Sequence, residues 1–309
     1  MRRTIPLAAP LLALLIPSFA IAADGPTFDR KADVIYGRKV GTALTLDVFT
    51  PKKDANGSAV VLVVSGGYFS SHDAINPVFF LPLLGRGFTV FTVVHGSQPR
   101  YTVPEIVLDV NRAVRFIRHH AADYAIDPNR IGVTGASAGG HLSLMLGTAG
   151  GPGDPNAKDP VDRESSKVQA VACFFPPTDF LNYGEAGREM LKVTDFGRMF
   201  RPAFDFRELD PAENVWEPVS DPEKRREILR KVSPANHVSA DDAPSLIYHG
   251  DADALVPLQQ SEAIVEKFKT AGVDAKLVVK KGAGHGWLSM VKDMEAFADW
   301  FDQHLKAGK

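Results

Sequence analysis

The stretch 130-RIGVTGASAGGHLSLMLG-147 carries the decision about this chain. Its first half is a short apolar run ending in Gly135-Ala136-Ser137-Ala138-Gly139, and its second half, "GHLSLML", has the character of a helix. A serine on a sharp strand-to-helix turn, flanked by residues small enough to let the two elements approach, is the pattern of a nucleophile elbow. The same letters also describe a glycine-rich turn with no chemistry, so the pattern is weak on its own. A serine hydroxyl at neutral pH is a poor nucleophile; it needs a base, and the base needs a carboxylate to orient it. The rest of the chain must supply both.

Working outward, further apolar runs recur: "AVVLVVSGG" from Ala59, "GFTVFTVVHG" from Gly87, "VQAVACFF" from Val168, "SLIYHGD" from Ser245 and "AKLVVKKGAGH" from Ala275. Strands apolar on both faces belong inside a parallel sheet covered by helices. Between them lie segments of helical period, such as Ile106, Val107, Val110, Val114 and Ile117. Ahead of them, "ADVIYGRKVGTALTLDVFTP" alternates around Gly41 and predicts an antiparallel hairpin. The expected fold class is therefore α/β, with a mostly parallel central sheet flanked by helices and antiparallel strands leading in. From Pro176 to Asn236 the text turns polar and proline-rich, which predicts a cap-like insertion (176–236) before the penultimate strand, without a core of its own. Phe180, Tyr183, Phe204 and Trp216 are its candidates for lining a site or for ordinary packing.

Ligands of open α/β sheets bind beyond the carboxyl ends of the strands, so the partners of Ser137 belong there, in the order Ser, Asp, His. Asp251 and Asp253 follow the strand ending at Gly250, and His285 sits among glycines after the next. Asp251, directly after the turn glycine, is suited to capping the loop, which favours Asp253 as the acid. Among nine histidines, His285 is placed to swing over a neighbouring turn. His249 reads as turn-stabilising, His119 and His120 lie on a polar helix end, and His95 ends a strand ahead of the serine. For the oxyanion, the backbone N–H groups of Gly67 and Tyr68 in "SGGYF", with that of Ala138, are the candidates.

On these residues the chain resembles an α/β-hydrolase, and is most similar to the carboxylesterases related to hormone-sensitive lipase and to the bacterial feruloyl and acetyl esterase-like group. The resemblance extends over "LTLDVFTP", "SGGYF", "DPNRIGVTGASAGGHLSLML", "SPANHVSADDAPSLIYHGDADALVPLQQS" and "GAGHGW". It implies Ser137 as nucleophile, Asp253 in its Asp-x-x-Val-Pro setting as acid and His285 as base. Two departures stand out. Relatives carry His-Gly-Gly-Gly where this chain has Ser65-Gly66-Gly67-Tyr68, so Tyr68 is expected to narrow the acyl side or to offer its hydroxyl to the oxyanion. Relatives also carry an Asp-Tyr-Arg-Leu-like run where this chain has "VVHGSQPRYTVPEI".

The implied activity is hydrolysis of carboxylic esters through an acyl-enzyme, with acetyl or feruloyl esters of polysaccharide as the suggested substrates. A prolyl-oligopeptidase-like peptidase shares "GASAGG", "HGDADALVP" and "GAGHGW", but nothing before residue 59 is long enough for the propeller such enzymes carry. A non-catalytic binding relative is the third reading. The 35 lysines and arginines are interspersed with 37 aspartates and glutamates, leaving no basic field for a nucleic acid. No zinc spacing, Walker or dinucleotide fingerprint appears, so neither metal nor organic cofactor is expected. The single cysteine, Cys173, has apolar neighbours and is expected as a buried thiol. Residues 1–22, with Arg2, Arg3, an apolar run and Ala20-Ile21-Ala22, read as a secretory signal peptide, leaving 23–309 as one secreted or periplasmic domain. That run is shorter than the ~20 apolar residues of a spanning helix and contains Pro6, Pro10 and Pro17, which disfavours an anchor. No later segment is long and apolar enough to span a membrane, and the oligomeric state is not legible.

Overall fold

The hairpin predicted around Gly41 pairs β1 (Phe28–Lys39) with β2 (Thr42–Pro51), joined by Val40 and Gly41 at φ of 46° and 74°. Two consecutive positive φ values give a primed turn, whose twist suits a two-residue hairpin, and glycine occupies the second position without strain. The structure, a computed structural model, describes residues 27–193 and 200–305; the predicted leader, 1–22, lies outside the described residues. β1 is an edge strand with two register irregularities, after Lys31 and after Ile35, which interrupt the template that a flat edge would offer to another chain.

β2 pairs antiparallel with β4 (Thr89–Val94), and from there the sheet is parallel through β3 (Ala59–Val64), β5 (Ile131–Ala136), β6 (Ala170–Phe174), β9 (Ser245–Gly250) and β10 (Ala275–Lys280). The order of the eight strands is β1-β2-β4-β3-β5-β6-β9-β10. Every residue of β3, β6 and β9 is buried, as the unbroken apolar runs predict. β10, at the far edge, is largely half-exposed.

Alternate side chains feed two cores. Val61, Val63, Val171 and Cys173 point to one face, under α2 (Val103–His119), α3 (Ala138–Ala149) and Phe268 of α5 (Gln259–Ala271). Val60, Leu62, Ala172 and Phe174 point to the other, under α1 (Pro77–Gly85) and α6 (Met290–His304). Helix α2 starts in a capping box between Thr102 and Glu105 and buries Ile106, Val110, Val114 and Ile117. Each such side chain contributes roughly 1.5–3 kcal/mol by leaving water. Cys173 is a buried free thiol.

The segment after β6 holds short 3-10 turns, the hairpin β7 (Arg207–Asp210) and β8 (Val215–Pro218), and α4 (Pro222–Lys231). Phe180, Tyr183 and Phe204 are buried in the same core as α2 and α3, so packing, not site lining, accounts for them. Trp216 differs, standing 65% exposed on β8. No helix among the described residues is long and apolar enough to cross a membrane.

Candidate active site

β5 ends at Ala136 and α3 begins at Ala138, which leaves Ser137 to make the whole reversal at φ 56°, ψ −118°. A non-glycine residue avoids that region at a strain of about 1–3 kcal/mol. Neighbouring contacts hold it there: the Ser137 N–H donates to the Phe174 carbonyl (3.0 Å), and the Ser137 carbonyl accepts the His141 N–H (2.9 Å). The flanking glycines answer to space. A Cβ on Gly135 would lie 2.5 Å from the Gly139 carbonyl, and one on Gly139 would lie 2.6 Å from the Val63 carbonyl. Those obstacles are backbone and cannot swing aside. Gly139→Ala is therefore expected to destabilise the fold by about 1–3 kcal/mol through overpacking of α3 against β3. Denaturant unfolding of the variant checks this; an unchanged midpoint would mean that the contact relaxes freely.

The structure brings the predicted serine, histidine and aspartate together. His285 Nε2 lies 2.9 Å from Ser137 Oγ, and His285 Nδ1 lies 2.7 Å from Asp253 Oδ2. A carboxylate accepts, so Nδ1 carries the ring proton and Nε2 presents its lone pair to the hydroxyl. The ring packs on Phe175, with centroids 4.4 Å apart, in a loop where Gly284 and Gly286 bridge each other. Asp253 Oδ1 accepts the N–H groups of Leu255 and Val256, both at 2.9 Å, which explains the Asp-x-x-Val spacing: the carboxylate folds its own turn. Burial by itself pushes the Asp253 carboxyl up, but donation from His249, His285 and the Val256 N–H outweighs it and holds the group well below the usual carboxylate range. Asp251, the competing acid, instead accepts the Gly282 N–H (2.6 Å) and pairs with Lys281 (3.2 Å).

His249 is more than the turn residue that its position suggests. It is fully buried, with Nε2 donating to the Val256 carbonyl (2.9 Å) and lying 3.5 Å from Asp253 Oδ2, while Nδ1 meets Ser261 Oγ at 2.6 Å. Its place four residues before the acid, at the end of the same strand, is the signal that sequence reasoning passed over. His119 and His120 pair with Glu164 and Asp123 on the surface. His95 is buried, bonded to the Gly96 carbonyl, and burial pushes its imidazole down to about 4.

Gly66 to Phe69 form a tight turn, closed by hydrogen bonds between the two end residues (3.0 and 2.9 Å), with Gly67 and Tyr68 at φ of 55° and 66°. Gly67 also lies directly under the Phe200 ring, where any Cβ would collide. Gln98 binds the turn twice: its side-chain Nε2 donates to the Gly67 carbonyl and its backbone N–H to the Tyr68 carbonyl (3.2 Å). Because the peptide is planar and trans, a Gly67 carbonyl held by Gln98 turns the Tyr68 N–H the opposite way. Ala138, the first residue of α3, has a helix-terminal N–H with no intrahelical acceptor.

One expectation about Tyr68 is corrected. Its phenol neither narrows the acyl side nor faces the oxyanion; it is buried against Phe204 and His141, with its hydroxyl 3.3 Å from His141 Nδ1. His141 Nε2 donates to the Val232 carbonyl (2.6 Å), which leaves Nδ1 to accept from the phenol, and burial lowers the imidazole to about 4, so it is neutral. A ring with an apolar body packs into the core, and its one polar atom finds the buried acceptor there.

Asp33, Asp47 and His72 also gather oxygen and nitrogen atoms within reach of one cation. Asp47 is already engaged, however, by the Arg30 Nε (2.8 Å) and the Asp33 N–H (3.0 Å).

A mostly parallel sheet with antiparallel lead-in strands, a serine at the β5–α3 reversal, and acid and histidine past β9 and β10 define an α/β-hydrolase. Residues 46–268 match the BD-FAE family, and the chain belongs to that family. It is 29% identical over 248 residues to a probable carboxylic ester hydrolase, LipM, of Mycobacterium tuberculosis, covering 78% of this chain and 52% of LipM. Esterase LipQ of the same organism is 28% identical over 249 residues, covering 79% of this chain and 53% of LipQ. The chain thus spans about half the length of these curated relatives. Among solved structures, a truncated carbohydrate esterase from gut microbiota superposes with a TM-score of 0.69 at 28% identity, covering 90% of this chain and 98% of that one. The thermophilic esterase Est2 of Thermogutta terrifontis gives 0.69 at 25% identity, covering 92% and 95%.

Proposed function

We propose that this chain is an exported serine esterase, cleaving carboxylic esters through an acyl-enzyme carried by Ser137, His285 and Asp253. The observation that carries the reading is the continuous hydrogen-bonded array from Asp253 through His285 to Ser137, at 2.7 and 2.9 Å. His285 Nε2 takes the hydroxyl proton as Ser137 Oγ attacks the carbonyl carbon. Asp253 stabilises the imidazolium that results. The N–H groups of Gly67, Tyr68 and Ala138 receive the oxyanion. His285 then protonates the leaving alcohol, and a water activated by the same ring hydrolyses the acyl-serine. These steps call on no metal or organic cofactor.

Acetyl or feruloyl groups on polysaccharide are the proposed substrates, supported by the likeness to a carbohydrate esterase and by the leader-like residues 1–22, which in this reading direct the chain out of the cytoplasm. The test sets acetylated xylan, feruloylated sugars, short-acyl p-nitrophenyl esters and an aminoacyl-nitroanilide side by side. Esters are expected to turn over, with a carbohydrate ester preferred and the anilide left nearly intact. Faster cleavage of the anilide than of any ester would point to a peptidase instead. Failure of a fluorophosphonate to label Ser137 in the folded protein would point to a binding relative.

A further inference from the structure

A second groove, of about 930 Å³, opens between the hairpin β7–β8 and the loop after Gln98; Trp216, Arg207, Arg100, Tyr101, Phe206 and Ile228 are among its walls. The hairpin register sorts its side chains. Directly opposed residues share a face, so Leu209 with Trp216 and Arg207 with Pro218 occupy one side, while Glu208 with Glu217 and Asp210 with Val215 occupy the other. The first side turns Trp216 and Arg207 into the groove. The second is acidic and carries the Lys224–Glu208 ion pair.

Two features mark the first side as a recognition surface. Trp216 is 65% exposed, whereas Trp300 is buried in the core, so packing does not account for the Trp216 indole. The Arg207 side chain makes no ion pair or hydrogen bond among the described residues, although nearby charges are committed: Asp205 lies 3.6 Å from Arg201, Lys231 pairs with Glu227 at 2.7 Å, and Glu105 closes the capping box on Thr102. Arg100 binds the Val40 carbonyl, which leaves its charge unneutralised. A flat indole beside an uncommitted guanidinium complements a ring with an apolar face and a carboxylate on its edge. The ring lies on the indole, and the carboxylate takes paired N–H donors. A uronic acid in pyranose form has both parts.

The groove adjoins the two segments that support the Gly66–Phe69 turn. Phe200 covers Gly67, and Pro202 and Phe206, a few residues on, line the groove; Gln98 holds the Gly67 carbonyl, and Pro99 and Arg100 line the facing wall. We propose that this groove is a subsite for a uronic acid unit of an acidic oligosaccharide whose ester group is presented to Ser137. The connection to Ser137 rests on the esterase reading. The binding claim does not.

The test separates the two. Intrinsic tryptophan fluorescence of the full chain is titrated with a de-esterified, glucuronic-acid-bearing xylo-oligosaccharide and with its neutral counterpart. A saturable change with the acidic sugar is expected, lost in Trp216→Ala and requiring about tenfold more ligand in Arg207→Gln. The acetylated acidic oligosaccharide should show a KM raised about tenfold in Trp216→Ala, with p-nitrophenyl acetate kinetics unchanged. Absence of a saturable response, an undiminished response in Trp216→Ala, or equal affinity for the neutral sugar would each overturn the subsite. Saturable binding by a wild type that cleaves no ester would overturn the esterase reading and leave the subsite standing.

Discussion

Ser137→Ala is expected to lower kcat on p-nitrophenyl acetate by about 10⁴-fold or more while leaving the unfolding midpoint near that of wild type. The two halves of this expectation come from different features of one residue. Activity falls because the hydroxyl 2.9 Å from His285 Nε2 is removed and no other nucleophile faces the ring in the array Asp253–His285–Ser137. Stability is retained because the strain sits in the backbone, at φ 56° and ψ −118°, and alanine bears it as serine does. Ser137→Gly separates the two terms. It removes the same hydroxyl and also relieves a strain of about 1–3 kcal/mol, partly offset by the greater freedom of glycine in the unfolded chain, about 0.5–1 kcal/mol. The glycine variant should therefore be as inactive as the alanine variant and more stable than it by about 1 kcal/mol. Equal turnover by wild type and Ser137→Ala would remove the nucleophile from the proposal. A glycine variant less stable than the alanine variant would show that the elbow is unstrained.

The parts of this site that lie at strand ends were legible because the sheet dictates them. Strands buried on both faces read as apolar runs, so the run from Ile131 to Ala136 and the run from Ser245 to Gly250 announce where β5 and β9 stop; Ser137 follows the first at once and Asp253 lies three residues beyond the second. His285 stands out because a glycine flanks it on either side. Side chains whose partners are distant in sequence were not legible. Tyr68 meets His141 across 73 positions, and the Gln98 amide meets the Gly67 carbonyl across 31; neither letter announces the other. The insertion hid its packing for another reason. Its 3-10 turns and four-residue strands impose neither a period of 3.6 nor a sustained period of two, so Phe180, Tyr183 and Phe204 enter the core singly. The hairpin β7–β8, "RELD" and "VWEP", mixes charges with apolar residues over too short a span to show alternation.

Asp253→Asn is expected to lower kcat by about 10⁴-fold at neutral pH, nearly as much as loss of the serine, with little change in shape. Asn Oδ1 can still accept from the Leu255 and Val256 N–H groups, so the turn keeps its fold. The amide NH₂ then replaces the oxygen that lies 2.7 Å from His285 Nδ1. Two donors cannot share that contact, so the ring adopts the tautomer with its proton on Nε2, pointing at Ser137 Oγ. A ring that donates to the hydroxyl cannot take its proton. The substitution also changes how stability depends on pH. Asp253 is held well below the usual carboxylate range in the folded chain, despite burial, by donation from His249, His285 and Val256. Its stabilisation is thus fully present above the unfolded carboxylate pKa, about 4, and is lost as the pH falls toward the lowered folded value. The stability gap between wild type and Asp253→Asn should therefore shrink on acidification below about pH 4. Steady-state kinetics at neutral pH and denaturant unfolding across the acid range check the two halves separately. A kcat within tenfold of wild type would mean that Asp253 does not set the tautomer of His285, and a gap that widens in acid would mean that its carboxyl is not depressed.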